Sequence, residues 1–148
     1  MQFGRAIAVA AAVAAACLAA HAAAQPPPAQ VAVRAIAPPA APFPTEAESA
    51  NVRTFSFVAY GDTRGPADTR IIQPAHSDVV TAILKAVPEE AAAGFPVRFV
   101  IQSGDAVYNG ADGTMWNVGY IPVVERLTRA GLPYFFGVGN HDMGVWVA

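Results

Sequence analysis

An α/β fold built on a parallel sheet is predicted by three features of the 148-residue sequence. Three short apolar runs each end in a glycine turn: Phe57-Val58-Ala59-Tyr60-Gly61-Asp62, Phe99-Val100-Ile101-Gln102-Ser103-Gly104-Asp105 and Tyr134-Phe135-Phe136-Gly137-Val138-Gly139-Asn140-His141-Asp142. Between them lie two stretches with apolar residues at helical spacing. The order is therefore strand, helix, strand, helix, strand, a βαβαβ pattern that implies parallel pairing, with the strands buried on both faces under helices.

Residues 1–24 read as a secretory signal peptide. Arg5 gives a positive start, Ala6 to Leu18 an apolar stretch, and Ala22-Ala23-Ala24 a small-residue cleavage site. The stretch is short and alanine-rich for a membrane span. Cys17, the only cysteine, falls inside it, so a protein cleaved after Ala24 has no disulfide, thiolate ligand or cysteine nucleophile. Cys17 as a lipoprotein acceptor is the alternative, and either route exports the protein to the periplasm or beyond. Residues 25–51 read as an Ala/Pro-rich linker, extended and serving as a spacer, because its prolines remove backbone donors. The folded domain is placed at 52–148. Its formal net charge with the rest of the chain is only -2, and no Lys/Arg block is present, so nucleic acid is not an expected partner.

Within the domain, Phe55 to Tyr60 is the first strand. A helix is expected from a Ser77 cap, with Val79, Val80, Ile83, Leu84 and Val87 inward, stopped by Pro88. His76, just before it, is expected on the surface. Val97 to Gln102 is the second strand. A second helix is expected over Val123 to Arg129, ended by Gly131 and Pro133, with Tyr134 to Val138 as the third strand. Trp116 and Tyr120 either wall a pocket or join the core.

Parallel strands bring their carboxyl ends to one edge, where ligands bind in open α/β sheets. Asp62, Asp105, Asn140 and His141 would meet there. Hard oxygen donors with an imidazole suit first-row divalent or trivalent metals, and with no thiol the plausible nucleophile is a metal-activated water. Taken singly, each Gly-Asp is as well explained as a turn.

The series Gly61-Asp62-Thr63-Arg64, Gly104-Asp105-Ala106-Val107-Tyr108 and Gly139-Asn140-His141-Asp142 resembles the calcineurin-like metallophosphoesterase superfamily. The resemblance implies the N-terminal half of a four-layer α/β/β/α sandwich. It also implies two metal ions (iron, manganese or zinc) bridged by Asp105, with Asp62 on the first and Asn140 on the second. His141 would act as general acid or stabilise the transferring phosphoryl, with Asp142 orienting its ring, and a metal-bridging hydroxide would attack a small phosphate ester. The family's usual first-block histidine is Arg64 here, and its usual second acid is Tyr108. Both changes resemble the purple acid phosphatase branch, where a tyrosinate binds ferric iron. Two readings stand for Tyr108: ligand of the first metal, or ring packed under the loop. Arg64 either grips a substrate phosphate or pairs with Asp62 or Asp68.

The further histidines the resemblance implies are not in the sequence, since none follows His141. The expectation is a C-terminally truncated phosphoesterase domain whose ligand set is incomplete. The alternative is a non-catalytic exported module that keeps the scaffold alone. Substrate class stays open among monoesters, diesters, nucleotides and pyrophosphate linkages.

Overall fold

The computed structural model describes residues 31–41, 43–65 and 71–144. The expected signal peptide, the first residues of the linker and Asp68 lie outside them. No helix among the described residues is long and apolar enough to cross a membrane. The elements in chain order are a one-turn helix α1 (Glu46–Ser49), β1 (Ser56–Tyr60), α2 (Pro74–Ala92), β2 (Val97–Gln102), a π-helical segment (Met115–Tyr120) running straight into α3 (Ile121–Arg129), β3 (Tyr134–Phe136) and a 3-10 turn (His141–Met143). The fold is mixed α/β, with one parallel three-stranded sheet in the order β1-β2-β3.

The sheet carries its core on one face only. Side chains alternate along the strands, so Val58, Tyr60, Val100, Gln102, Tyr134 and Phe136 face the helices. There Val80 and Ile83 of α2 and Val124 and Leu127 of α3 are buried against them. The expectation of strands covered on both faces is corrected. Phe55, Phe57 and Phe135 are about half exposed on the other face, where Phe57 stacks on Phe99 at 5.2 Å and Phe99 meets Phe135 edge-on at 5.8 Å. A register shift between the Ser56–Val97 and Val58–Val100 pairs lies within this stretch of β2. Arg98 lines the open face beside Phe99 and Ile101, in a groove of about 650 Å³ bounded also by Phe43 and Pro44.

Several element boundaries differ from the expectation. Helix α2 starts at Pro74, which suits a first helical position because no partner awaits its missing N–H. Ser77 is therefore inside the helix, where its Oγ and carbonyl accept from Arg126 Nη1. Pro88 does not stop the helix. It is solvent-exposed, and the helix formers Glu89, Glu90, Ala91 and Ala92 carry one more turn. Val79 is exposed rather than inward. Helix α3 begins two residues before the expected start, and Gly131 follows its end with φ +83, in the left-handed region a helix-terminating glycine adopts. Strand β3 ends at Phe136, and Gly137 N donates the last rung to Gln102 O at 2.7 Å.

The linker is not a mere spacer. Its described part is extended, as the prolines require, but it is docked. The Asn117 side chain brackets it, accepting from Arg34 N at 2.9 Å and donating to Ala32 O at 2.8 Å. Arg34 makes a two-pronged pair with Glu125, whose Oε1 also accepts from Ala37 N at 3.2 Å. Ala40 N donates to Thr128 O, and Ile36 packs on the buried cluster around Tyr120. Further on, Thr45 and Glu48 form a reciprocal cap that starts α1. The folded unit thus begins before residue 52. Removing residues 31–41 is expected to lower the melting temperature, measured by circular dichroism. An unchanged melt would return the segment to a spacer role.

His76 is fully buried, not on the surface. Its ring stacks on Tyr120 at 5.1 Å, and Nε2 bonds the Tyr60 hydroxyl at 3.2 Å. Nδ1 has no partner among the described residues. Burial, reinforced by the nearby Arg126 cation, pushes the imidazole down to about 4 from the ordinary 6.5. The unfolded chain therefore binds a proton that the folded one refuses. Stability should be full above pH 6.5 and fall by roughly 3 kcal/mol as the pH drops toward 4. Urea unfolding of wild type against His76→Gln checks this, and equal slopes across that window would refute it.

Candidate functional site

The three strand ends do converge, and main chain packed on main chain brings them together. After β1, Asp62 N donates to Gly104 O and Arg64 N to Asp105 O, both at 3.0 Å. After β3, His141 N donates to an Asp105 carboxylate oxygen at 3.1 Å, and Gly110 N donates to His141 O at 2.9 Å. Gly104 and Gly139 sit where these loops touch. A Cβ on Gly104 would overlap the Gly139 backbone, and one on Gly139 would overlap Asp105. Only glycine permits that approach.

Asp62 and Asp105 are the only non-glycine residues among those described with left-handed backbone, at φ 55 and φ 51. Aspartate tolerates this region better than most side chains, yet it remains uncommon and is usually held by its surroundings. For Asp105 the restraint is visible: Ala106 and Val107, immediately after it, are fully buried in the cluster with Met115, Tyr120, Ile121 and Val124. For Asp62 it lies in Thr63, whose buried hydroxyl accepts from Gln102 Nε2 at 2.8 Å.

The two carboxylates meet on one cation. Arg64 Nε lies 3.3 Å from Asp62 Oδ1 and 3.4 Å from Asp105 Oδ2. Of the partners expected for Arg64, the structure shows Asp62, and it adds Asp105. Asp105 thus has one oxygen on the third loop and the other toward Arg64, while the Asp62 side chain is three-quarters exposed.

Asp142 is buried and does a different job from orienting the imidazole. Its Oδ1 accepts from Ala106 N at 2.8 Å and Val107 N at 3.2 Å, and its Oδ2 from Gly139 N at 2.8 Å. The carboxylate therefore ties the second loop to the third. The His141 ring is instead held by Tyr108, whose carbonyl lies 3.0 Å from Nδ1 and whose ring packs on the imidazole at 5.5 Å. A carbonyl only accepts, so the proton of this bond belongs to Nδ1. The Tyr108 ring is partly buried against the core cluster, as the packing reading expects. Asn140 is exposed at the head of the 3-10 turn, with no capping bond from its side chain.

Beneath the site, sequence reasoning missed a buried polar cluster. The hydroxyls of Tyr120 and Tyr134 both donate to Gln102 Oε1 and touch each other. Burial drives both phenols far above their ordinary range, and Tyr60 up to about 12. The cluster is thus uncharged at any ordinary pH. Its one sequence signal is a glutamine closing the apolar run Phe99-Val100-Ile101. Of the two readings for Trp116, the structure shows the core one: Nε1 donates to Gly110 O at 2.9 Å, and its ring packs edge-on to Tyr120 and Phe136.

Asp62 and Asp105 each place a carboxylate oxygen, at 3.3 and 3.4 Å respectively, beside the same guanidinium nitrogen, so two oxygen donors face one cation. Among the described residues, no group of three or more His, Cys, Asp or Glu side chains is arranged around a point. Comparisons of the chain with protein-family models, with curated proteins and with solved structures find no match.

Asp142→Ala would leave three main-chain amides without their acceptor. A loss of roughly 3 kcal/mol of stability is expected from the unpaired donors, with faster amide exchange at Ala106, Val107 and Gly139. Unchanged exchange at those three positions would contradict the role given to this carboxylate.

Proposed function

We propose that the chain carries the first part of a metal-dependent phosphoesterase site. The observation that supports this best is the pair Asp62 and Asp105. They stand at the ends of adjacent parallel strands, share an unusual backbone conformation, and aim their carboxylates at a common cation. Backbone strain of this kind gathers where side chains must be held in place. In this reading the fold is the N-terminal half of a metallophosphoesterase sandwich, and the remaining metal donors come from further protein. The protein is exported, as the N-terminal stretch suggests.

Asp105 is the central ligand, Asp62 a second, and Asn140 a third from the opposite loop. Tyr108 is a further ligand in this reading, its ring packed on the His141 imidazole at 5.5 Å. A bound metal would supply Lewis acidity to a phosphate ester and lower the pKa of a water. The chain's own residues do the rest. His141, with Nδ1 held on the Tyr108 carbonyl, gives a proton to the leaving oxygen or stabilises the phosphoryl. Asp142 keeps the His141 loop in register with Asp105. The amides and glycines that press the three loops together hold these groups in place before substrate arrives.

Calorimetric titration with Mn²⁺ tests the reading. Weak binding is expected, abolished by Asp105→Asn and kept in Asp112→Asn, with slow p-nitrophenyl phosphate hydrolysis that requires the metal and is lost in His141→Ala. Binding indifferent to Asp105, or turnover without metal, would reject it. The small donor set also favours a second reading, a scaffold without chemistry. That reading predicts no Mn²⁺ binding.

A further inference from the structure

We infer that Arg64 is a displaceable counter-ion, which holds the Asp62–Asp105 pair together without metal and must leave before metal binds. The inference rests on the metal-site reading above and deepens it. A single Nε–H faces both carboxylates, at 3.3 and 3.4 Å. Neither contact is the parallel two-nitrogen fork that makes an arginine–carboxylate pair strong. The hydrogen bond from Nε to Asp105 Oδ2 is long, at 3.4 Å. The guanidinium is therefore central in charge but loosely held.

The backbone of Arg64 is held more firmly. Its amide donates to Asp105 O at 3.0 Å, and Thr63 beside it is anchored on Gln102. A side chain expelled from between the carboxylates stays tethered at the rim of the same site. Its N–H groups then face whatever binds there, and their planar fork suits the oxygens of a phosphate monoester. The two roles expected for Arg64, pairing with Asp62 and gripping phosphate, become successive positions of one side chain. The carboxylates are shielded from each other when the site is empty of metal, and the phosphate grip is released only when it is filled.

The experiment is a Mn²⁺ titration of the full chain as wild type, Arg64→Gln, Arg64→Met and Arg64→Lys. It is joined by ¹⁵N NMR of the Arg64 Nε–H in wild type as Zn²⁺ is added. Removing the charge should tighten Mn²⁺ binding roughly three- to tenfold, the scale of a partly exposed ion pair. Lysine should stay near wild type, and the Nε–H resonance should move in step with Zn²⁺ occupancy. Equal or weaker binding by the folded Gln and Met variants would overturn the inference while leaving the metal reading intact. An Nε–H resonance that stays put at saturating Zn²⁺ would do the same, and it decides the matter if both variants misfold. Absence of Mn²⁺ and Zn²⁺ binding throughout, wild type included, would reject the metal reading and the displacement with it.

Discussion

The edge of the sheet depends on one constraint: three loops stacked backbone to backbone, with the Asp142 carboxylate bonding the amides that this stacking would leave buried. Close approach of main chain to main chain excludes water from polar groups, which must then find partners inside the protein. A glycine makes each contact sterically allowed, and a hydrogen bond makes it energetically tolerable. Asp62 and Asp105 take their left-handed backbone within this stacking, and each contributes a carboxylate to the contact with Arg64.

A second layer supports the first. Gln102 ends β2 in the core, takes hydrogen bonds from two tyrosines, and passes one on to Thr63 in the first loop. Buried polar groups left unpaired are costly, so each partner here restricts the others. The amide orientation of Gln102 is set by this chain, because its oxygen faces two hydroxyls and its nitrogen faces the threonine. The loop bearing Asp62 is thereby coupled to the aromatic packing of the π-helical segment and β3. The π-helical segment supplies Tyr120 to this cluster and Trp116 to the Gly110 carbonyl, so its irregular geometry feeds both layers.

Sequence patterns exposed the sheet well and its surroundings poorly. The strands' places in the chain and the glycine-ended turns follow from local rules: apolar runs, breakers and helical spacing. The candidate site residues stand out in the sequence for the same reason, since each lies just after a strand. What failed was anything set by distant partners. His76 looks like a polar residue at a helix start, and only Tyr60 and Tyr120 from elsewhere make it a core group. Asp142 stands beside His141 in sequence, yet amides 35 and 36 positions away take its Oδ1. The proline-rich segment carries no sign that Asn117 and Glu125 will hold it.

The open face of the sheet follows from the same logic. The strands alternate, but their outward positions are Phe57, Phe99, Ile101 and Phe135 rather than polar residues. A solvated antiparallel face would place polar side chains there. Aromatic self-packing shields part of this surface, and Phe43 of the docked segment reaches Phe135 at 5.6 Å. The segment therefore contributes to both sides of the domain, with Arg34 and Ile36 on the helical side and Phe43 on the open one. Because it runs along α3, any change that loosens it acts on the helix that carries Val124 and Leu127. The Tyr120–Gln102–Thr63 chain links packing at the segment to the loop that carries Asp62, and Ala106 and Val107, buried in the same cluster, link it to Asp105.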